Sequence, residues 1–389
     1  MTLDLSALSR QIVAMGRTLQ ETGQSLEERL TTATNLLRAH AADFQALENK
    51  ARSSNTPWPI AGLVERPDTV YLLPEGPSAY TVAATDGSQI EPDRHGSVLC
   101  HLINIGWAAI RYGDRPQAWL ASEPTLYYDD ADLYLTMEGR RTLVAGHLLD
   151  IKRNVAEMAR LAQLVEETER DIPMVAIADG LLVLRAMEGW RLQEFRRNFL
   201  PRFQESLSHF QALSVPVVGY ISRPRSYELT SLLRVAACPY AQAVCSQQCA
   251  SVVGKEPCAA LVGIPDRLLM ERLPLRLGER SARFRAFSSA EGPPTYFFYL
   301  NVADEIARIE VPDWVTFRPE LMDLVHWVAH DQCRRGNGYP RVLTEAHERA
   351  VLAIGDRQQF EQLVEATVAR SHLSERTSAK ERSKRVRGL

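Results

Sequence analysis

The chain has 389 residues, of which 45% are hydrophobic and 24% charged, and its formal net charge is −3. This balance is typical of a soluble globular protein and excludes a globally basic one, so nucleic acid would have to contact a local basic patch. No apolar run is long enough to span a bilayer, and the N-terminal segment lacks a secretory signal pattern. We therefore expect a cytoplasmic protein, with one large α/β domain or two smaller ones.

Residues 1–55 are predicted to form an N-terminal helical arm. Apolar residues recur there at three- and four-residue steps, beginning with Leu5, Leu8 and Ile12. The stretch SSNTPWPIAG ends this pattern. We expect the arm to pack on the main domain or on a second subunit.

Strands are predicted from residue 80 onward. Residues 80–86, 97–111 and 117–128 have the pattern of an antiparallel meander. The elements expected after it are a helix at 133–170, a strand at 174–179, a helix at 189–212, a strand at 215–222, a helix at 226–237, a hairpin at 296–312 and helices at 319–335 and 344–369. The basic, aperiodic segment 370–389 is predicted to be a disordered tail.

This order of elements is that of an RNase H-like fold. We predict an α/β protein with an RNase H-like core, in which helices flank a mixed sheet, plus the N-terminal helical arm. The main domain is expected over 75–369. That fold places acidic residues on its first strand, on its first long helix, on a later strand and on a final helix.

Two Asp-Gly pairs follow short apolar runs, at Asp86 in TVAATDGSQ and at Asp179 in MVAIADGLL. A carboxylate at the end of a buried strand is costly to bury unless it is paired or binds a cation. Either pair alone is more typical of an ordinary turn. Together they predict a shared metal site.

Two further residues are candidates for that site. Glu157 lies between Val155 and Met158, which have the spacing of core-facing helix positions, although a solvated helical glutamate is common. His347 follows Thr344, a plausible helix N-cap, which would put the imidazole in the first helical turn. The helix dipole would keep it neutral there, as a metal ligand or proton acceptor, although an exposed histidine is the alternative.

Four cysteines fall within about 238–258, and this segment is a predicted insertion in the main domain. Cys238, Cys245, Cys249 and Cys258 are separated by six, three and eight residues, unlike the paired C-x-x-C sequences of common zinc sites. In a cytosolic protein disulfides are the less expected use of such a cluster. The cysteines could hold zinc or an iron–sulfur cluster, or remain four unconnected thiols.

The chain resembles the NurA family of nucleases over roughly residues 80–365. The resemblance rests on five sequence features: Asp86-Gly87-Ser88, Asp179-Gly180, Arg308-Ile309-Glu310-Val311-Pro312, Gly338-Tyr339-Pro340 and Glu345-Ala346-His347. Their order and the eight-residue step from the tyrosine to the histidine are together diagnostic. The cysteine cluster is not part of the family pattern.

The resemblance implies a manganese-dependent 5′ to 3′ exonuclease with single-strand endonuclease activity that processes DNA ends in double-strand break repair. It also implies a homodimer that works with the hexameric translocase HerA. By motif, Asp86, Asp179, Tyr339 and His347 match the family's active-site positions, whereas Glu157 is assigned by element order alone.

Hydrolysis of a phosphodiester is served by two divalent ions, Mn²⁺ or Mg²⁺, held by carboxylates. We expect Asp86 to bridge the two ions, Glu157 and Asp179 to complete one site each, and His347 to bind an ion or move a proton. Tyr339 would orient the phosphate or stack on a base. The candidate DNA-binding residues are Arg196, Arg197, Arg223 and Arg225. The competing hypothesis is a non-catalytic RNase H-like scaffold of a DNA repair assembly.

Overall fold

A computed structural model describes residues 4–94, 96, 98–137, 139–184, 197–249, 256, 258–287 and 294–370. The chain divides into two compact units. The first unit comprises Met1–Pro74 and Ile221–Asp313, and the second comprises Glu75–Tyr220 and Trp314–Leu389. The arm at 1–55 and the domain at 75–369 remain predicted boundaries.

The helices and strands of the described residues are numbered here in chain order. The helices are α1 (Leu5–Ala41), α2 (Phe44–Ser53), α3 (Asp130–Leu133), α4 (His147–Glu167), α5 (Leu200–Ala212), α6 (Glu228–Ala237), α7 (Cys245–Gln248), α8 (Asp266–Met270), α9 (Asp313–Thr316), α10 (Pro319–Arg335), α11 (Arg341–Ala350) and α12 (Ile354–Arg370), with a 3₁₀ turn at Ala259–Leu261. The strands are β1 (Gly62–Leu63), β2 (Val70–Tyr71), β3 (Tyr80–Ile90), β4 (His101–Tyr112), β5 (Gln117–Tyr127), β6 (Tyr134–Met137), β7 (Arg140–Leu143), β8 (Met174–Asp179), β9 (Val217–Ile221), β10 (Arg280–Ser281), β11 (Phe284–Arg285), β12 (Thr295–Asn301) and β13 (Ile306–Pro312). Within these ranges no helix combines the length and the apolarity needed to cross a membrane.

The second unit is built on a mixed sheet. Strands β3, β4 and β5 form the predicted antiparallel meander, β8 runs parallel to β3, and β9 runs parallel to β8. Helix α4 covers the sheet with an apolar stripe that includes Ile151, Val155, Met158 and Leu161, all buried. Val155 and Met158 were predicted to face the core, and the stripe determines which face of α4 is turned to the sheet.

Two predicted helices of this unit have different bounds. The helix expected over 133–170 begins only at His147, because the residues before it pair as the hairpin β6–β7 around Gly139, whose φ is +71°. The helix expected over 344–369 begins earlier, at Arg341, and is interrupted after Ala350. Of the helix expected over 189–212, residues 189–196 lie outside the described residues, and α5 covers Leu200–Ala212.

The first unit combines helices with a largely antiparallel set of strands. Strands β12 and β13 form the predicted hairpin, whose turn contains Ala303 with a φ of +83°. Leu30, Ala33 and Leu37 of α1 share a buried apolar cluster with leucines of α6. The C-terminal half of the arm therefore packs on a helix of its own chain.

The segment Arg308–Pro312 of the family motif lies on β13 and has a structural role. The Arg308 guanidinium lies 2.7 Å from a Glu310 carboxylate oxygen and 3.4 Å from one of Glu228, and all three side chains are 1% exposed. Removing one partner of such a buried ion pair leaves an uncompensated charge, which strongly destabilises a fold. Replacing any one of these three charged side chains would therefore destabilise the first unit.

Candidate active site

Strands β3 and β8 place the two motif aspartates side by side. Thr85 is paired with Ala178 in the parallel register, so Asp86 and Asp179 are the next residues on neighbouring strands. Asp179 ends β8, and Gly180 then turns the chain with a φ of +111°. Asp86 does not end its strand as expected, because the long strand β4 pairs with β3 as far as Ile90. The parallel pairing of β3 with β8 ends at Thr85, the residue before Asp86.

Helix α4 adds Glu157 to the two aspartates. The Thr85 hydroxyl donates a hydrogen bond of 3.0 Å to the Glu157 carbonyl, which fixes the helix against β3 at this point. A Cβ atom on Gly87 would lie 2.4 Å from Glu157 Oε1, so a larger residue at position 87 would require the Glu157 carboxylate to shift. The Glu157 side chain is 16% exposed. The side chains of Glu166 and Glu167 are instead 61% exposed and pair with His209 and Arg160.

Helix α11 brings His347 to Asp86, and His347 Nδ1 lies 2.6 Å from Asp86 Oδ2. The helix lies close against β4, where a Cβ atom on Gly106 would be 2.3 Å from the Ala346 carbonyl oxygen. Its last carbonyl, that of Ala350, accepts hydrogen bonds from the side chains of Ser88 and Asn104. These contacts hold the end of α11 on β3 and β4.

The predicted setting of His347 in a first helical turn is wrong. Helix α11 begins at Arg341 after Pro340, and His347 belongs to its last turn. The negative end of the helix dipole lies there, so the argument for a neutral imidazole no longer applies. The role of the imidazole has to be argued instead from its contact with the Asp86 carboxylate, 2.6 Å away.

Tyr339 lies just before α11 and contacts the other aspartate. Its hydroxyl donates a hydrogen bond to the Asp179 carboxylate, and burial, followed by the Asp179 charge, raises the pKa of Tyr339. The edge of its ring packs on Tyr220, with the ring centroids 5.4 Å apart. Because its hydroxyl is bonded to Asp179 and its ring is packed on Tyr220, Tyr339 is better suited to positioning Asp179 than to stacking on a DNA base.

Burial and neighbouring negative charge oppose the ionisation of Glu157 and Asp179. Burial raises the pKa of Glu157 to about 8. The positive charge of Arg153 opposes this rise, whereas the negative charges of Asp86 and Asp179 add to it. Desolvation by the surrounding protein also raises the pKa of Asp179, and the Asp86 charge raises it further. Arg153 Nε lies 3.1 Å from Glu157 Oε1 and supplies one compensating positive charge. A site with this excess of negative charge favours a bound cation.

A cavity of about 230 Å³ adjoins Glu157 and Asp179. Three polar residues of α4, which the sequence analysis did not single out, also line it: His147, Asp150 and Asn154. Together with Glu157 they recur at steps of three and four residues, so helical periodicity applied to polar residues would have found them. Asp150 is fixed by Gln89, whose amide nitrogen donates a 2.9 Å hydrogen bond to it.

The remaining predicted residues lie elsewhere. Arg197 is exposed in the second unit, Arg223 and Arg225 are exposed in the first, and Arg196 lies outside the described residues. The four clustered cysteines belong to the first unit and are free thiols. Across the described ranges, no group of three or more His, Cys, Asp or Glu side chains is arranged as a ready metal site.

Comparisons with known proteins agree with this architecture. A search of curated proteins finds no match. The family model described as the NurA domain matches residues 80–352, which contain Asp86, Glu157, Asp179, Tyr339 and His347. The match confirms the resemblance and the RNase H-like fold class, because the NurA domain is RNase H-like. The chain belongs to the NurA family of DNA-processing nucleases.

Proposed function

We propose that this protein is a metal-dependent deoxyribonuclease that processes DNA ends in double-strand break repair, as a 5′ to 3′ exonuclease with single-strand endonuclease activity. The observation that carries the proposal is the meeting of side chains from β3, α4, β8 and α11 in one acidic site. His347 Nδ1 lies 2.6 Å from Asp86, and burial, together with the charges of Asp86 and Asp179, raises the pKa of Glu157 to about 8.

The side chains of this site fit divalent metal ions. Carboxylate oxygens and an imidazole suit Mn²⁺ and Mg²⁺, and the mutual repulsion of the acids would be relieved by positive charge. Asp86, Glu157, Asp179 and His347 would hold the metal, as two ions in each site. When bound, such ions neutralise charge on the phosphate and lower the pKa of the attacking water.

The protein's own residues keep this site assembled. The Tyr339 hydroxyl holds the Asp179 carboxylate, and His347 holds Asp86. Arg153 balances the charge of Glu157 through its 3.1 Å ion pair, so an incoming cation competes with Arg153 for that carboxylate. His347 can also accept or return a proton during the reaction, since a histidine side chain can act as a general acid or base.

The partners proposed here are DNA, a second copy of the chain and a HerA-type hexameric translocase. Arg196, Arg197, Arg223 and Arg225 are the proposed contacts to DNA phosphates. Each phosphate contact releases counterions, so the affinity for DNA should fall steeply as the salt concentration rises. The translocase is proposed from family membership, and co-purification of the two proteins tests it.

The deciding experiment incubates the purified protein with end-labelled single- and double-stranded DNA in Mn²⁺, Mg²⁺ or EDTA. We expect cleavage with a divalent ion and none in EDTA. Asp86→Asn or Asp179→Asn should lower the rate by about a hundredfold or more, because lost charge stabilisation of several kcal/mol costs tenfold per 1.4 kcal/mol.

The matched control is Glu166→Gln, which removes an exposed α4 carboxylate paired with His209 and should leave cleavage unchanged. Full activity in a folded Asp86→Asn protein would overturn the proposed site. DNA binding without cleavage in any metal would instead favour the scaffold hypothesis.

A further inference from the structure

A cavity of about 380 Å³ lies in the first unit and is lined by residues of α2 and of the paired strands β1 and β11. Its volume is in the range of pockets that bind small molecules. Both charged and apolar side chains face it. The charged ones are Arg52, Arg285 and Glu48, and the largest apolar ones are Trp58, Ile60 and Phe287. The cavity thus combines positive charge with aromatic surface.

The buried carboxylate of Glu48 holds both arginines in place. Its Oε1 accepts hydrogen bonds from Arg52 Nε at 2.7 Å and from Arg285 Nη2 at 2.9 Å. Its Oε2 accepts a 2.6 Å hydrogen bond from the backbone nitrogen of Leu63 on β1. The two positive charges exceed the one negative charge, so the group as a whole attracts anions.

The guanidinium groups retain donors that Glu48 does not use. A guanidinium has five N–H donors, and the bond to Glu48 occupies one donor on each arginine. Among the described residues neither Arg52 nor Arg285 has a further acceptor. Their side chains are 63% and 35% exposed, respectively. These planar donor groups match the oxygens of a phosphate, which can accept two parallel hydrogen bonds.

Gly62 leaves room for one of the two guanidinium groups. It is the register partner of Arg285 in the antiparallel pairing of β1 with β11. A Cβ atom on Gly62 would lie 2.7 Å from Arg285 Nη2 and 2.8 Å from its Nε, so a larger residue would require the guanidinium to shift. The guanidinium therefore lies over the backbone of β1, the strand to which Glu48 also binds. Strand pairing and the buried carboxylate together determine its position.

Phe287 supplies an aromatic surface beside this charge. It follows Arg285 by two residues, is 49% exposed, and donates a 3.3 Å hydrogen bond from its backbone nitrogen to Glu228. Trp58 is the second ring of the cavity, and the Arg234 guanidinium carbon lies 3.3 Å from its centroid, which restrains the ring. An exposed ring next to guanidinium donors is the combination that binds a base and its phosphate in single-stranded nucleic acids.

We propose that this cavity binds one unpaired nucleotide of a DNA strand, with its phosphate on Arg52 and Arg285 and its base on Phe287. A base in a duplex is stacked between its neighbours and cannot lie on a protein ring, so the strand is single at this point. Stacking accepts any base, because each base has a π-face. The proposal takes DNA as the partner from the proposed function, but it uses none of the acidic residues. Binding at this cavity and cleavage can therefore fail separately.

The test measures the affinity for a short, fluorescein-labelled oligothymidylate by anisotropy, in EDTA so that metal-dependent cleavage plays no part. Phe287→Ala should weaken binding by about 5- to 150-fold, the usual loss when a stacking ring is removed. Phe287→Tyr keeps the ring and should bind like the wild type. Tyr240→Ala, at a tyrosine of the first unit that is 48% exposed, is the matched control and should also bind like the wild type.

An oligonucleotide without bases separates the two proposed contacts. The wild type and Phe287→Ala should bind this abasic strand equally, because it offers no base to stack on the ring. A loss of the same size on both strands would overturn the base contact.

Arg52→Gln tests the phosphate contact. For a single strand, the logarithm of the binding constant falls with the logarithm of the salt concentration, by about 0.7 for each phosphate contact. The slope should therefore be smaller by about 0.7 in Arg52→Gln and unchanged in Phe287→Ala. Arg66→Gln is the control, because Arg66 is 58% exposed in the same unit and pairs with Asp68 much as Arg52 pairs with Glu48.

Wild-type affinity in both Phe287→Ala and Arg52→Gln would overturn the site. Thymidine 5′-monophosphate, which has the same base and phosphate, tests the source of the nucleotide. If it displaces the oligonucleotide at equal nucleotide concentration, a free nucleotide is the ligand and the strand is overturned as its source. If it does not, while the two variants bind the oligonucleotide more weakly, the strand supplies the nucleotide.

Discussion

The Glu157 carboxyl of α4 links the charge of the site to the stability of the protein. Burial raises its pKa from the ordinary value of 4.5 to about 8. Arg153 opposes this rise, and the charges of Asp86 and Asp179 add to it. The folded state therefore holds a proton that the unfolded chain releases. The stabilising contribution is complete below pH 4.5 and is lost as the pH rises towards about 8.

We predict that, in EDTA, the free energy of unfolding of the wild type falls relative to that of Glu157→Gln between these pH values. Urea titrations of both proteins across this window measure the difference. Added Mn²⁺ should reduce it, because the ionised carboxylate then has a cation as partner. Parallel curves for the two proteins in EDTA would contradict the predicted titration.

Tyr339 offers a second test at the level of one residue. Tyr339→Phe removes the hydroxyl that donates to Asp179 and keeps the ring that packs on Tyr220. Loss of a residue that orients a metal ligand costs about 10- to 100-fold in metal affinity. We expect the Mn²⁺ concentration for half-maximal cleavage to rise by that factor, while the rate at saturating Mn²⁺ changes less.

Tyr128→Phe, at a tyrosine that is 62% exposed, is the control and should behave like the wild type. A large loss of rate in Tyr339→Phe at saturating metal, with the half-maximal Mn²⁺ concentration unchanged, would point instead to a direct contact with the substrate.

Among the elements, α11 depends on its close approach to β4. A methyl group on Gly106 would lie 2.3 Å from both the Ala346 carbonyl oxygen and the Ala350 nitrogen, which are backbone atoms that cannot rotate away. Gly106→Ala should therefore lower the free energy of unfolding by about 1–3 kcal/mol, the usual cost of overpacking. Cleavage should fall as well, since α11 carries His347.

Urea denaturation and the cleavage assay measure the two effects of Gly106→Ala. Gly355→Ala on α12, where an added methyl group would meet nothing within 4 Å, is the matched control. If Gly106→Ala had the stability and activity of the wild type, the docking of α11 would not depend on this glycine.

Local patterns predicted the elements that carry the site. Alternation and turn residues predicted the meander β3–β5, and the apolar run before Asp179 predicted β8 with its observed bounds. The break after Ala350 was not predictable from local sequence, because the Ala350 carbonyl bonds there to Ser88 and Asn104, more than 240 residues away in the chain. The roles of Gly106 and Arg153 were missed for a similar reason. Both depend on how separate helices and strands pack against one another, which local sequence does not show.

On the scale of the whole molecule, the N-terminal half of α1 exposes apolar side chains. Ile12, Val13 and Met15 are 51–57% exposed, although the C-terminal half of the same helix is packed on α6. We predict a homodimer in which this half of α1 contacts the second copy. Light scattering at several micromolar concentrations should give twice the mass of one chain.

Ile12→Glu combined with Met15→Glu should shift the protein to the monomer, because it places charges in an apolar interface. Thr31→Glu combined with Thr32→Glu, at exposed threonines later in α1, is the control for added charge on this helix. A wild-type protein that stays monomeric throughout would rule the dimer out.

The contact between Gly87 and Glu157 has a practical consequence for work in cells. Replacing an active-site acid silences a nuclease but also removes a negative charge, which by itself strengthens the attraction to DNA. Gly87→Ala keeps every acid, yet its methyl group would lie 2.4 Å from Glu157 Oε1 and would force this carboxylate to move. We expect the variant to cleave DNA more slowly with an unchanged net charge, which would suit it to holding the protein on uncut DNA ends while its surface attracts them as strongly as before.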